Sequence, residues 1–166
     1  MYYLNIFLLF SILGYSYETI FRLFLKTTQD YLLMGPWMPI YGFGLLISEF
    51  LNIFLNKFKL KRFKKIILFF FINIILLTII EEIGGILVEK IFHTSFWNYE
   101  YIPLHLGPYI NIFVSIIWSL ASTIIEFFLI PILTPLIRKI PKMVSYIILF
   151  LLLLDHVILL YQYFLR

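Results

Sequence analysis

IILFFFINIILLTIIEEIGGILVE, residues 66 to 89, runs for 24 residues in which only Glu81, Glu82 and Glu89 carry charge. A helix rising 1.5 Å per residue needs about 20 apolar residues to cross a bilayer core, so this stretch reads as a membrane span. Four other segments have the same character, near residues 2 to 25, 36 to 56, 109 to 133 and 143 to 164. The expected fold class is therefore all-α, a polytopic integral membrane protein with five transmembrane helices. Residues 1 to 166 are expected to form a single transmembrane domain, since the loops are too short to hold a separate one.

Composition agrees with this class. Hydrophobic residues make up 63% of the 166-residue chain and charged residues 13%, whereas charged residues alone supply about a quarter of a soluble domain. The lack of cysteine excludes disulfides, thiol nucleophiles and thiolate metal sites. A lone alanine, Ala121, among many Ile, Phe, Asn and Lys residues points to an AT-rich bacterial genome, hence a bacterial cell membrane. The first span has no basic n-region and no small-residue cleavage site, so it is expected to be a retained anchor rather than a signal peptide.

Lysines and arginines set the expected orientation. Lys57, Lys59, Lys61, Arg62, Lys64 and Lys65 lie between spans two and three, and Arg138, Lys139 and Lys142 between spans four and five. The opposite side receives Arg22, Lys26, Lys90 and Arg166, and the 9 to 4 split places the N-terminus in the cytoplasm and the C-terminus outside. Alternating charges and apolar residues in KFKLKRFKK, residues 57 to 65, suit anionic headgroups beside a membrane better than nucleic acid. No nucleic-acid partner is expected; the bilayer is.

The block GPWMPIYG, residues 35 to 42, interrupts an apolar run with Gly35, Pro36, Pro39 and Gly42. Proline lacks a backbone N–H and is common in the first turn of a helix, where that donor has no partner anyway. The block is thus expected to open span two from the outer face. The segment TSFWNYEYIPLHLGP, residues 94 to 108, returns to the same face with Trp97, Tyr99 and Tyr101. Aromatics at that level serve as interfacial anchors; the alternative is a polar vestibule. Gly107-Pro108, like Gly35-Pro36, opens an inward-running span, a hint of a duplicated hairpin.

Charges within the spans point to the vestibule. Each is costly in hydrocarbon and tends to face a protein interior or a water-filled cavity. Glu18 lies 16 residues along the first span and Glu81 15 residues along the third, about 24 and 22 Å from their cytoplasmic starts. Both are expected at a similar depth, beneath amide groups exposed by the broken backbone of residues 35 to 42. Glu82 points about 100° away from Glu81 on the same helix. Gly84 and Gly85 follow on the face of Glu81, where small residues let another backbone approach. Glu18 also precedes Arg22 by four residues, the favourable order for an ion pair on one helix face. Glu126, and Glu49 with Asn52 and Asn56, are read as marking cytoplasmic helix ends, and Asp155-His156 as a buried pair bonded to a neighbouring helix. The vestibule candidates are Glu18, Arg22, Gly35, Pro36, Pro39, Tyr41, Gly42, Glu81, Glu89, Trp97, Asn98 and Tyr99.

The combination of GYSYE at 14 to 18, GPWMPIYGFG at 35 to 44, EEIGGILVEKIFH at 81 to 93 and FWNY at 96 to 99 resembles a family of small bacterial membrane proteins, the ABC-transporter permeases of the CmpB type. The similarity runs from about residue 5 to 135. Its most specific element is the GP-x-x-P-I-Y-G block. Where the family has Asn-Arg-Gly before that block this chain has Gln29, Asp30 and Tyr31, and where it has Trp-Asp-Tyr this chain has Trp97, Asn98 and Tyr99. Two charged positions that the family pattern would pair in a salt bridge across the outer mouth are thus altered together.

The resemblance implies a transport-related membrane component of unknown substrate. The chain has no G-x-x-x-x-G-K-[ST] loop for nucleotide phosphates, so ATP hydrolysis would come from a separate ATPase subunit, and a five-span protomer suggests a homo-oligomer or hetero-oligomer. Two other classes stay open: a membrane enzyme acting on lipid or lipid-linked substrate at the outer face, and a non-transporting membrane partner or regulator. Two carboxylates at one depth suit acid–base work, but H-E-x-x-H and G-x-S-x-G are absent. No enzyme activity, cofactor or metal is expected.

Overall fold

A computed structural model describes residues 1–25 and 33–164 of the chain. Gln29, Asp30 and Tyr31, which carry one of the departures from the family pattern, lie outside the described residues, as do Lys26 and Arg166 from the charge count. The described elements are α1 (Tyr2–Leu25), α2 (Pro39–Asn56), α3 (Arg62–Phe92), a short hairpin of β1 (His105–Leu106) and β2 (Ile110–Asn111), α4 (Ile112–Ile124), a π-helical turn (Ile125–Leu129), α5 (Ile130–Ile137) and α6 (Lys142–Phe164). Among the described residues, five helical stretches are long and apolar enough to cross a membrane, with α4, the π turn and α5 forming one of them from Ile112 to Ile137. The all-helical membrane fold expected from the sequence is what the structure shows.

Helix ends differ from the hydropathy boundaries where capping chemistry decides them. The second span begins at Pro39, the second proline of its block, rather than at Pro36. The fourth begins at Ile112, because the Asn111 side chain accepts hydrogen bonds from the amides of Phe113 and Val114, which would otherwise lack acceptors at a helix start. Span three extends from Arg62 to Phe92, 31 residues or about 46 Å, so it exceeds a hydrocarbon core of about 30 Å. It ends at His93 in the left-handed conformation, with the His93 amide donating to the Glu89 carbonyl. Gly107-Pro108 belongs to the β1–β2 turn, with Gly107 at φ +74°, a region that favours glycine. Gly35-Pro36, in contrast, lies in non-helical backbone that belongs to no strand pair.

The π turn has a sequence cause. Pro131 cannot donate to the Phe127 carbonyl, and a proline ring crowds the carbonyl four residues back. Just before it, the Ile130 amide reaches the Ile125 carbonyl five residues back, the wider π spacing.

The chain forms two compact units, residues 1–43 with 134–166, and residues 44–133. In the first, Leu8, Trp37 and Leu152 form a buried core with Leu4, Phe7, Ile12, Leu33, Ile148 and Leu149 against it. Asn5 joins three segments there. Its Nδ2 donates to the Ile137 carbonyl at 3.0 Å and its Oδ1 accepts from Ser145 Oγ at 2.5 Å, which satisfies a carbonyl that the end of α5 leaves without an intrahelical partner. In the second unit, α3 packs along α4, and Leu51, Leu55 and Phe69 form the apolar core, with the Phe69 and Phe127 rings edge to face.

Candidate functional site

Residues 34 to 38 solve a local problem. A chain that leaves helical geometry between apolar segments exposes amides that hydrocarbon cannot satisfy, and such backbone survives at membrane depth only inside protein or beside water. Asp155, projecting from α6, takes three of the donors: Met34 N at 3.1 Å, Gly35 N at 2.8 Å and the Trp37 indole Nε1 at 2.8 Å. The Met38 amide donates to the Ser11 carbonyl, 2.9 Å away in the middle of α1. Asp155 therefore bonds to the GPW block instead of to a neighbouring helix. The amides expected to face an open vestibule are largely spoken for.

Two glycines set how closely this block meets α1. A Cβ on Gly14 would collide with the Tyr41 ring, and one on Gly42 would collide with Phe7 and Ser11. With the Tyr41 ring seated against Gly14, its hydroxyl donates to Glu18 Oε1 at 2.5 Å. Arg22 Nε lies 3.5 Å from Glu18 Oε2, the same-face pair that the four-residue spacing predicts. Glu18 is thus held from two sides. Pro36 is exposed and Pro39 begins α2.

Glu81 has a parallel arrangement in the other unit. The Tyr99 hydroxyl donates to Glu81 Oε1 at 2.9 Å, and the Tyr99 amide donates to the Pro108 carbonyl at 2.8 Å. Trp97 Nε1 donates to the Tyr109 carbonyl at 3.2 Å. Tyr109 packs on Gly85, where a Cβ would strike its ring, so this glycine admits an aromatic side chain where another backbone was expected. Asn98 is exposed, and its Oδ1 accepts the Glu100 amide at 2.8 Å in a local turn. The Glu89 side chain is exposed.

A third polar group, which no sequence motif marks, lies between α2, α3 and the fourth span. Ser48 Oγ lies 2.7 Å from Ser122 Oγ and 3.0 Å from Asn73 Oδ1, and Asn52 Nδ2 donates to Glu126 Oε1 at 2.6 Å. Ser48 and Asn52 on α2, and Ser122 and Glu126 on the fourth span, are each four residues apart, so they make two successive rungs between the same helix faces. Asn73 is 0% and Glu126 1% exposed. Glu126 lies in the π turn, 11 residues before the end of its span at Ile137, about 16 Å along the helix. It is a buried interior residue and not the marker of a helix end. The signal was present as serines and a glutamate at 115, 119, 122 and 126, one polar stripe at helical spacing.

A family model described as "Putative ABC-transporter type IV", of the CmpB type, matches residues 5–161 of the chain. The chain belongs to this family. The match takes in all five spans, further than the similarity to about residue 135 seen in the motifs, and includes the α6 segment that carries Asp155. No curated protein and no solved structure matches the chain. Among the described residues no group of three or more His, Asp or Glu side chains is placed to hold a metal ion.

Proposed function

We propose that the chain is the membrane-embedded permease component of a transport system whose ATPase is a separate subunit. Membership of the ABC-transporter family across nearly the whole chain carries this reading. It is supported by five apolar helices with no nucleotide-binding motif among them. A transporter of this kind needs polar groups within its spans, and the chain supplies them in hydrogen-bonded sets: Tyr41 with Glu18, Tyr99 with Glu81, and the two rungs around Ser48 and Glu126. The first two sets, one in each compact unit, are the polar stations of this proposal, in a bacterial cell membrane with a cytoplasmic N-terminus and an external C-terminus.

The test is purification from native membranes in mild detergent, followed by mass spectrometry of both proteins and bound lipids. Recovery of an ATPase with the chain supports the proposal. Turnover of a bound lipid by the isolated chain would replace it with the enzyme reading, and recovery with a membrane complex lacking any ATPase would replace it with the regulator.

A further inference from the structure

Two rows of side chains on α3, Ile66 with Phe70 and Ile67 with Phe71, face Leu120 and Thr123 of α4 across a groove of about 200 Å³. The members of each row are four residues apart and so lie on one helix face. Ile67, Phe71 and Leu120 are exposed, so the groove opens at the surface of this unit and not into its core. The Thr123 hydroxyl donates to the Ser119 carbonyl at 2.7 Å, which leaves the lining apolar.

One turn towards the start of α3 the same rows reach Arg62 and Phe63, about 6 Å along the helix. Arg62 is exposed, as are Lys61 and Lys64 beside it. None of these three forms an ion pair with a described carboxylate. The other wall also ends at a cation. Phe127 lies four residues after Thr123, and Lys65 Nζ sits 5.1 Å from the centre of its ring while donating to Asn56 Oδ1. Lys61, at the N-cap, makes no side-chain hydrogen bond to the first amides of α3, so donors without helical partners lie beside these charges. The groove therefore runs from an apolar crevice to a set of positive charges.

We propose that this groove is a binding site for one anionic phospholipid, with an acyl chain along Ile66, Ile67, Phe70 and Phe71 and the phosphate at Arg62. Charge complementarity selects this occupant. A zwitterionic lipid would fill the groove equally well with its chain, but its own ammonium offsets what its phosphate gains from the cations. Basic pockets between membrane helices hold anionic headgroups for this reason, and the planar fork of arginine pairs with phosphate through two donors. Such a site differs from diffuse attraction of the basic loop to a charged surface, because the cation in line with the groove contributes more than its neighbours. It stands in either orientation of the chain and whether or not the chain is a permease.

Native mass spectrometry of the full chain, stripped of lipid in detergent and titrated with dioleoyl phosphatidylglycerol or dioleoyl phosphatidylcholine, tests this. One phosphatidylglycerol should bind at least about fivefold more tightly than phosphatidylcholine, the effect of one basic residue at a membrane surface. Arg62→Gln should remove that preference, whereas Lys57→Gln, the same charge lost from the loop, should keep it. Ile67→Trp, which fills the groove from an exposed position, should weaken both lipids. Inorganic phosphate at the concentration of the lipid should not displace it. Equal affinity of the wild type for the two lipids would overturn the proposal. So would equal losses in Arg62→Gln and Lys57→Gln, which would show diffuse attraction, or unaltered binding in Ile67→Trp, which would take the acyl chain out of the groove. Displacement by phosphate would overturn it too, leaving an anion site without a lipid. The wild-type comparison decides the matter even if a variant fails to fold.

Discussion

The indole Nε1 of Trp37 donates to Asp155 Oδ2 at 2.8 Å, joining the broken backbone before α2 to the last helix of the chain. The same carboxylate takes the amides of Met34 and Gly35 and is itself 6% exposed. It is the acceptor that lets the GPW block leave helical geometry within an apolar environment.

Asp155→Ala removes one acceptor and leaves three donors without a partner. Hydrogen bonds to charged groups contribute about 1.5 to 3 kcal/mol each and a stranded buried donor costs about 1 to 3, so a loss of at least about 3 kcal/mol is expected. Thermal unfolding in detergent measures it. An unchanged unfolding temperature would mean that water replaces Asp155 at this block.

Gly85→Ala places a methyl group where the Tyr109 ring sits. Overpacking of this kind costs about 1 to 3 kcal/mol. Combining it with Tyr109→Ala should cost less than the sum of the two single changes, since the second removes the ring that the first displaces. Strict additivity in a double-mutant cycle would show that the two residues do not meet.

Five spans were legible because each is a long apolar run, and length alone separates a span from a buried soluble helix. Boundaries were not, because Asn111 and Pro39 set them through single capping and backbone effects that hydropathy does not register. Glu18 with Arg22 was readable from a four-residue interval on one helix. Asp155 with Trp37 was not, being 118 residues apart in sequence; the available signal was a lone carboxylate within a span, which demands a partner without naming it. Glu126 was misjudged for a different reason. Its span continues to Ile137 through two prolines, and proline suggests an earlier end.

Orientation rests on the distribution of Lys and Arg. A reporter fused after Lys61 should be cytoplasmic and one fused after Tyr99 external, as read by alkaline phosphatase and green fluorescent protein activities. The opposite pattern would place the Glu18 and Glu81 stations on the cytoplasmic side.

Glu81→Gln keeps an oxygen for the Tyr99 hydroxyl and removes only the charge. Chain-dependent ATP hydrolysis by the purified complex should fall to background while the unfolding free energy stays within about 1 kcal/mol of that of the wild type, the scale of one ordinary hydrogen bond. Tyr99→Phe should weaken stability by about that amount and leave activity measurable. Full activity in Glu81→Gln would make this carboxylate a structural partner of Tyr99 and no more.

Native mass spectrometry of the complex released from membranes tests the central claim most directly. The chain has a mass of 20.0 kDa, and the account predicts an assembly whose mass exceeds any whole number of chains by that of a nucleotide-binding subunit, which leaves on dissociation as a separate ion. An assembly made only of whole multiples of 20.0 kDa would contradict it.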